Sequence, residues 1–188
     1  MDYLKSNLPT LFAAANNIAA EAKSTFAPLT PTQLNWKPSA ERWSVAQCFD
    51  HLLAINKVYF PIIDSMLAGH KPTIWERMPL VPRGGKWLIK AIDPKSTRTF
   101  KARKNFEPAQ SSISGSVIED FVDHQATVVE KMKSTEHLDL ENIIITSPVV
   151  SVMTYSLMDA YRIIVVHEQR HFEQAQRVTE EAAFPRQS

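Results

Sequence analysis

The residues of this chain best suited to chemistry are its histidines, six among 188 residues. Two stand in the run His167-Glu168-Gln169-Arg170-His171. Residues four apart on an α-helix differ by about 40° around the axis and about 6 Å along it, so both imidazoles leave one face. That geometry suits two nitrogen ligands of one Zn²⁺-like ion, each about 2.0–2.1 Å from the metal. The spacing alone is weak evidence, because six histidines placed at random give such a pair in roughly one sequence of five. The neighbours strengthen it. Ile163, Ile164, Val165 and Val166 lead into His167 and Phe172 follows His171, which sets the pair beside an apolar stripe. Two neutral imidazoles on an inward face need partners, and one metal ion satisfies both.

A third ligand is expected from another helix. His51, flanked by Phe49, Leu52 and Leu53, is the best placed of the remaining four histidines. A lone histidine in that position is more often a satisfied core residue. Around these three, Gln174 follows His171 by three residues and points the same way, so it is a candidate to orient water. Gln47, four before His51, shares its face but also suits a helix cap. Glu168 lies about 100° around the helix from His167, either in solvent or as a partner holding a ligand. His124, between Phe121 and Val128, is a further candidate contact. Cys48, three before His51, reads as a small buried residue in preference to a fourth ligand. No residue stands out as the catalytic base.

Four helical segments position these side chains. In the first, Leu4, Leu8, Leu11, Ala15, Ile18 and Ala22 form one stripe that ends before Pro28. The second runs from Ser44, with Gln47 at the capping-box position, through a kink at Pro61 to Gly69. The third starts near Ser116 with Glu119 in the capping-box place, and the fourth runs from about Ser156 to about Ala182. The segment Leu138–Tyr155, rich in Ile and Val, could pass for a strand but reads as a packed crossover. With 4 glycines in the whole chain, a many-stranded sheet is disfavoured. The expected architecture is a single all-α domain over residues 1–188, a four-helix bundle with long crossover connections. One of these connections, about 69–114, is basic and reads as irregular or as carrying a short helix around Lys86–Ala91.

Trp36-Lys37-Pro38, Arg42-Trp43-Ser44-Val45, Asp50-His51-Leu52 and the late His167-Glu168-Gln169-Arg170-His171-Phe172-Glu173-Gln174 together resemble the DinB/YfiT-like superfamily in order and spacing. The likeness extends over nearly the whole chain, except the basic connection. It implies a four-helix bundle whose three histidines, here His51, His167 and His171, bind one divalent ion, Ni²⁺ or Zn²⁺. It also implies either a metal-dependent hydrolase or an S-transferase or isomerase that uses a low-molecular-weight thiol. A non-catalytic metal-binding bundle is the third reading.

Bulk composition narrows the partners. The net charge of +1 gives no electrostatic argument for nucleic acid or membrane, and neither is expected as a partner. Residues 69–110 hold ten Lys/Arg against Glu76, Asp93 and Glu107, so a basic segment sits in an otherwise acidic chain. There Arg98, Lys101, Arg103 and Lys104 flank Phe100, a pattern that also occurs in single-strand binders. A solvated loop balancing the acidic helices explains it more simply. The expected partner is a small-molecule substrate, with a homodimer as a candidate assembly; Trp75 and Trp87 read first as anchors of the connection, with a lid over the metal pocket or a dimer surface as the alternatives. One cysteine, and an N-terminal stretch without a continuous apolar run, lead us to expect a cytoplasmic protein.

Overall fold

The computed structural model describes residues 1–77, 84–98, 100, 102–110 and 112–186; Lys101 lies outside them. The chain is mostly helical. Its α-helices are α1 (Leu8–Phe26), α2 (Pro31–Asn35), α3 (Val45–Lys57), α4 (Phe60–Leu67), α5 (Gly84–Ile92), α6 (Val117–Ser134) and α7 (Leu157–Thr179). Short 3-10 turns occupy Tyr3–Lys5 and Lys104–Phe106. Among the described residues no helix is long and apolar enough to cross a membrane.

Local chemistry accounts for most of the boundaries. The Asn7 side chain accepts from the Thr10 amide at the start of α1, with Pro9 in the first turn, where its missing N–H costs nothing. Ser44 and Gln47 form the reciprocal capping box of α3. Ser156 caps α7 through the amide of Asp159.

Three expectations are corrected. The second segment is two helices, not one kinked helix: Pro61 lacks an N–H and its ring crowds the carbonyl of Lys57, so the helix stops there and α4 starts afresh. At α6 there is no capping box, because Ser116 has helical backbone angles and its hydroxyl meets Ser114 and Asp120. The Ile/Val-rich crossover contains an antiparallel ribbon, β1 (Ile144–Thr146) and β2 (Thr154–Ser156), with Ile145 opposite Tyr155. Both of these side chains are buried, and β2 leads directly into α7.

The long helices α1 and α3 each pack on both α6 and α7, while α5 lies on α7 and β2. Each of the four contributes one fully buried phenylalanine to a chain of edge-to-face contacts. Phe26 meets Phe49 at 5.3 Å and Phe172 at 5.5 Å between ring centres, and Phe49 meets Phe121 at 4.9 Å. Such pairs add about 0.5–1.5 kcal/mol each beyond the area they bury, and here they tie together the two helices that carry the histidines. Tyr59, beyond the C-terminal end of α3, bonds Tyr155 at the head of α7. Arg42, before the N-terminal end of α3, pairs with Glu181 past the end of α7. The two helices therefore run antiparallel, with His51 facing the middle of α7.

Candidate metal centre

His51 of α3 and His167 and His171 of α7 converge. The ring centres of His51 stand 5.2 Å from His167 and 4.8 Å from His171, and those of His167 and His171 are 4.5 Å apart. Each offers one nitrogen, all within 4.8 Å of one another, an arrangement that could hold a single ion. His51 and His171 are buried, and His167 keeps partial exposure.

The protonation states can be read from the partners. His51 Nδ1 lies 2.6 Å from the carbonyl oxygen of Phe106, which can only accept, so Nδ1 carries the hydrogen and Nε2 keeps its lone pair. Nε2 of His167 and Nε2 of His171 face each other at 3.0 Å. Two lone pairs at that distance repel unless a proton or a cation lies between them. Two nitrogens on a common tetrahedral ion would stand roughly 3.3 Å apart, so the pair is almost at ligand spacing. Nδ1 of His171 is buried without a hydrogen-bond partner.

Electrostatics keep all three rings neutral. Burial, then His51 and Arg170, hold His167 down at about 3. Burial, then the two other imidazoles and Arg170, depress His171 well below the usual histidine range. Burial likewise lowers His51, against smaller opposing effects of the Phe106 carbonyl and Asp50. Neutral imidazole is the ligand form. The residues therefore fit a divalent ion through three neutral nitrogens, with no carboxylate in the group.

Trp43 covers the triad. Its ring stacks on His171 at 5.4 Å and 18°, and meets His51 at 4.8 Å. Trp43 and the three histidines together line a cavity of about 1020 Å³. Its walls include Asn56, Tyr59, Trp87, Leu88, Arg103 and Gln174. The basic connection supplies one wall and is held in place by α3. Gln47 Nε2 donates to the Ala109 carbonyl, the Ala109 amide donates to Asp50, and His51 donates to Phe106. Arg170 holds the same connection from α7, donating to the carbonyls of Asp93 and Arg98.

Of the remaining candidates, only Gln174 lines the cavity, next to His171. Gln47 is committed to its cap and to Ala109. His124 stacks on Phe60 outside the cavity lining. Cys48 is fully buried, burial pushes its thiol up to about 12, and it does not join the histidine group. Glu168 is fully buried on α7 where it packs on α3, accepting from Asn56 Nδ2 at 2.7 Å. Burial lifts its carboxyl to about 7 against the opposing pull of Gln125 and Asn56. Neither the Trp43 stack, the Phe106 carbonyl nor Arg170 is among the site candidates that the sequence offers. A backbone carbonyl 55 residues away from its imidazole leaves no mark in a sequence.

Residues 17–175 match the DinB superfamily. An uncharacterized protein of Bacillus subtilis (strain 168), YuaE, is 29% identical over 168 residues, which cover 88% of this chain and 94% of that protein. No solved structure matches. The chain belongs to the DinB superfamily.

Proposed function

We propose that this protein is a divalent-metal-dependent enzyme acting on a small molecule, in the first place a hydrolase, with His51, His167 and His171 as ligands of one Ni²⁺ or Zn²⁺. In this reading α1, α3, α6 and α7 are the superfamily's four-helix bundle, and the connections after α4 and α6 are its long crossovers. The observation that carries the reading is the open side of the triad. Three neutral imidazoles backed by Trp43 face a large cavity, whereas a purely structural ion would be closed in by a fourth protein ligand.

A divalent ion in such a setting supplies Lewis-acid activation of water or of a thiol. The chain's own residues prepare for this. Phe106 orients His51, Trp43 shields two of the rings from bulk water, and the Gln174 amide stands beside His171 to orient a polar group. Among the described residues the carboxylates that line the cavity, Glu41 and Glu107, are exposed.

A thiol-dependent transfer or isomerisation is the second reading. It is favoured by the cavity volume, at the top of the usual range of about 300–1,000 Å³, which gives room for a thiol beside its electrophile. The basic connection folds into the cavity wall, which suits a small ligand better than a nucleic-acid strand. A single, buried cysteine fits a cytoplasmic setting. The test is a screen of metal-loaded, untagged protein against chromogenic esters and amides, and against thiol–electrophile pairs. Turnover should disappear on chelation and in His51→Ala. Turnover indifferent to both would overturn the proposal.

A further inference from the structure

The cavity is polarised along the antiparallel α3–α7 pair, with the triad near its middle. Toward the head of α7 it is mainly apolar, lined by Ile55, Tyr59, Leu88, Met153, Ile163 and Ile164, with Asn56 the polar exception. Toward the tail of α7 the lining changes to Lys37, Arg42, Gln174 and Arg177. At about 1.5 Å of rise per residue, the ten residues from Ile164 to Gln174 span roughly 15 Å. This is the length of a medium-sized amphiphile.

Three observations fix the sign of the polar end. Among the described residues the cavity walls carry five cations, Lys37, Arg42, Arg103, Arg170 and Arg177, against two carboxylates, Glu41 and Glu107. These cations are incompletely neutralised. Among the described residues Lys37, Arg103 and Arg170 have no carboxylate within ion-pair distance, Arg177 has only Glu173 at 3.9 Å, and Arg42 is the one that is closely paired, with Glu181. Finally, the histidine group contains no carboxylate, so an ion held there keeps its whole charge and adds to the positive field.

We infer that the ligand of this cavity is an amphipathic organic anion: an apolar body lodged between Leu88 and Ile163, and a negatively charged head drawn toward Lys37 and Arg177, so that the bond between them passes the triad. This deepens the proposed function and rests on it only for what happens at that bond. The polarity of the cavity belongs to the protein without its ion. Association of such an anion is steered by the positive walls and held by the apolar ones.

Calorimetric titration of chelator-stripped protein with sodium decanesulfonate, below its micelle concentration, tests the inference, because a sulfonate is a poor metal ligand and needs no ion to bind. Decanesulfonate should bind at one site per chain. Hexanesulfonate should bind at least about tenfold more weakly, since four methylene groups leave the apolar end. Decyltrimethylammonium, of the same chain length and opposite charge, should bind about tenfold more weakly or not at all. The double variant Lys37→Glu, Arg177→Glu should lose about tenfold for the sulfonate and recover affinity for the ammonium, a swap that general unfolding cannot produce. Equal affinity for anion and cation, indifference to chain length, or no binding of decanesulfonate would overturn the inference. A protein that binds the sulfonate as stated but retains no metal contradicts the proposed function and leaves this inference standing.

Discussion

Replacing His124 by phenylalanine isolates one buried titration and predicts its size. His124 lies on α6, is 7% exposed, stacks on Phe60 at 5.1 Å, and has an unpartnered Nε2. Burial, helped by the charge of Lys57, pushes it down to about 4 from its usual 6.5. Between pH 6.5 and 4 the unfolded chain holds a proton that the folded chain lacks. Acidification through that window therefore favours unfolding, by up to about 1.4 kcal/mol per pH unit. Over the window this single residue removes about 3 kcal/mol of stability. Phenylalanine keeps the stack on Phe60 and has no proton to gain. The stability difference, variant minus wild type, should then grow by about 3 kcal/mol from pH 8 to pH 4, or roughly 6–12 °C in Tm for a domain of this size. Urea unfolding followed by circular dichroism at pH 8, 7, 6, 5 and 4, in chelator, reads this directly. The other buried histidines lose stability equally in both proteins and cancel. Parallel stability curves for the two proteins across the whole range would refute the reasoning.

The Glu76 carboxylate behaves in the opposite sense. It is buried, which alone would raise it, but bonds from His70, the Thr73 amide, and the amide and hydroxyl of Thr146 bring it down to about 2. It therefore stabilises the clasp of residues 70–76 on β1 at pH values above about 4.5, and that contribution fades as pH falls toward 2. Glu76→Ala should cost about 2–3 kcal/mol at pH 7 in urea unfolding, and a loss that did not shrink below pH 4 would contradict this. Gly85 in α5 has no room for a side chain, since a Cβ would stand 2.6 Å from Asp159 Oδ2 and 2.7 Å from Tyr155 Cβ. Gly85→Ala should push α5 off α7 and β2 at a cost of about 1–3 kcal/mol. An unchanged melting temperature would show that the cavity wall is looser than drawn.

What was legible in the sequence was local. The four-residue spacing places His167 and His171 on one face because helix geometry needs only the helix, and the Ser44–Gln47 pair writes its own start signal within one turn. The motif order that marks the family carried His51 into the same set. What was not legible depends on contacts between distant segments. Glu168 was read from its angle on α7 alone as solvent-facing or as holding a ligand, yet the packing of α3 and α6 buries it against Asn56 and Gln125. Gln47 was weighed as a site residue, but the carbonyl that occupies it comes from a loop 62 residues on. The break at Pro61 was a matter of degree: a proline inside an apolar run signals a kink or an end, and the run itself does not say which. The β1–β2 ribbon escaped because its strands are three residues each, too short for an alternating pattern to register.

The central claim is that His51, His167 and His171 together hold one divalent ion. Untagged protein, purified without added chelator and dialysed against metal-free buffer, should carry close to one Ni²⁺ or Zn²⁺ per chain by elemental mass spectrometry. His171→Ala, which removes one ligand and leaves the fold's buried phenylalanine contacts in place, should carry almost none. Equal metal content in wild type and His171→Ala would contradict the account.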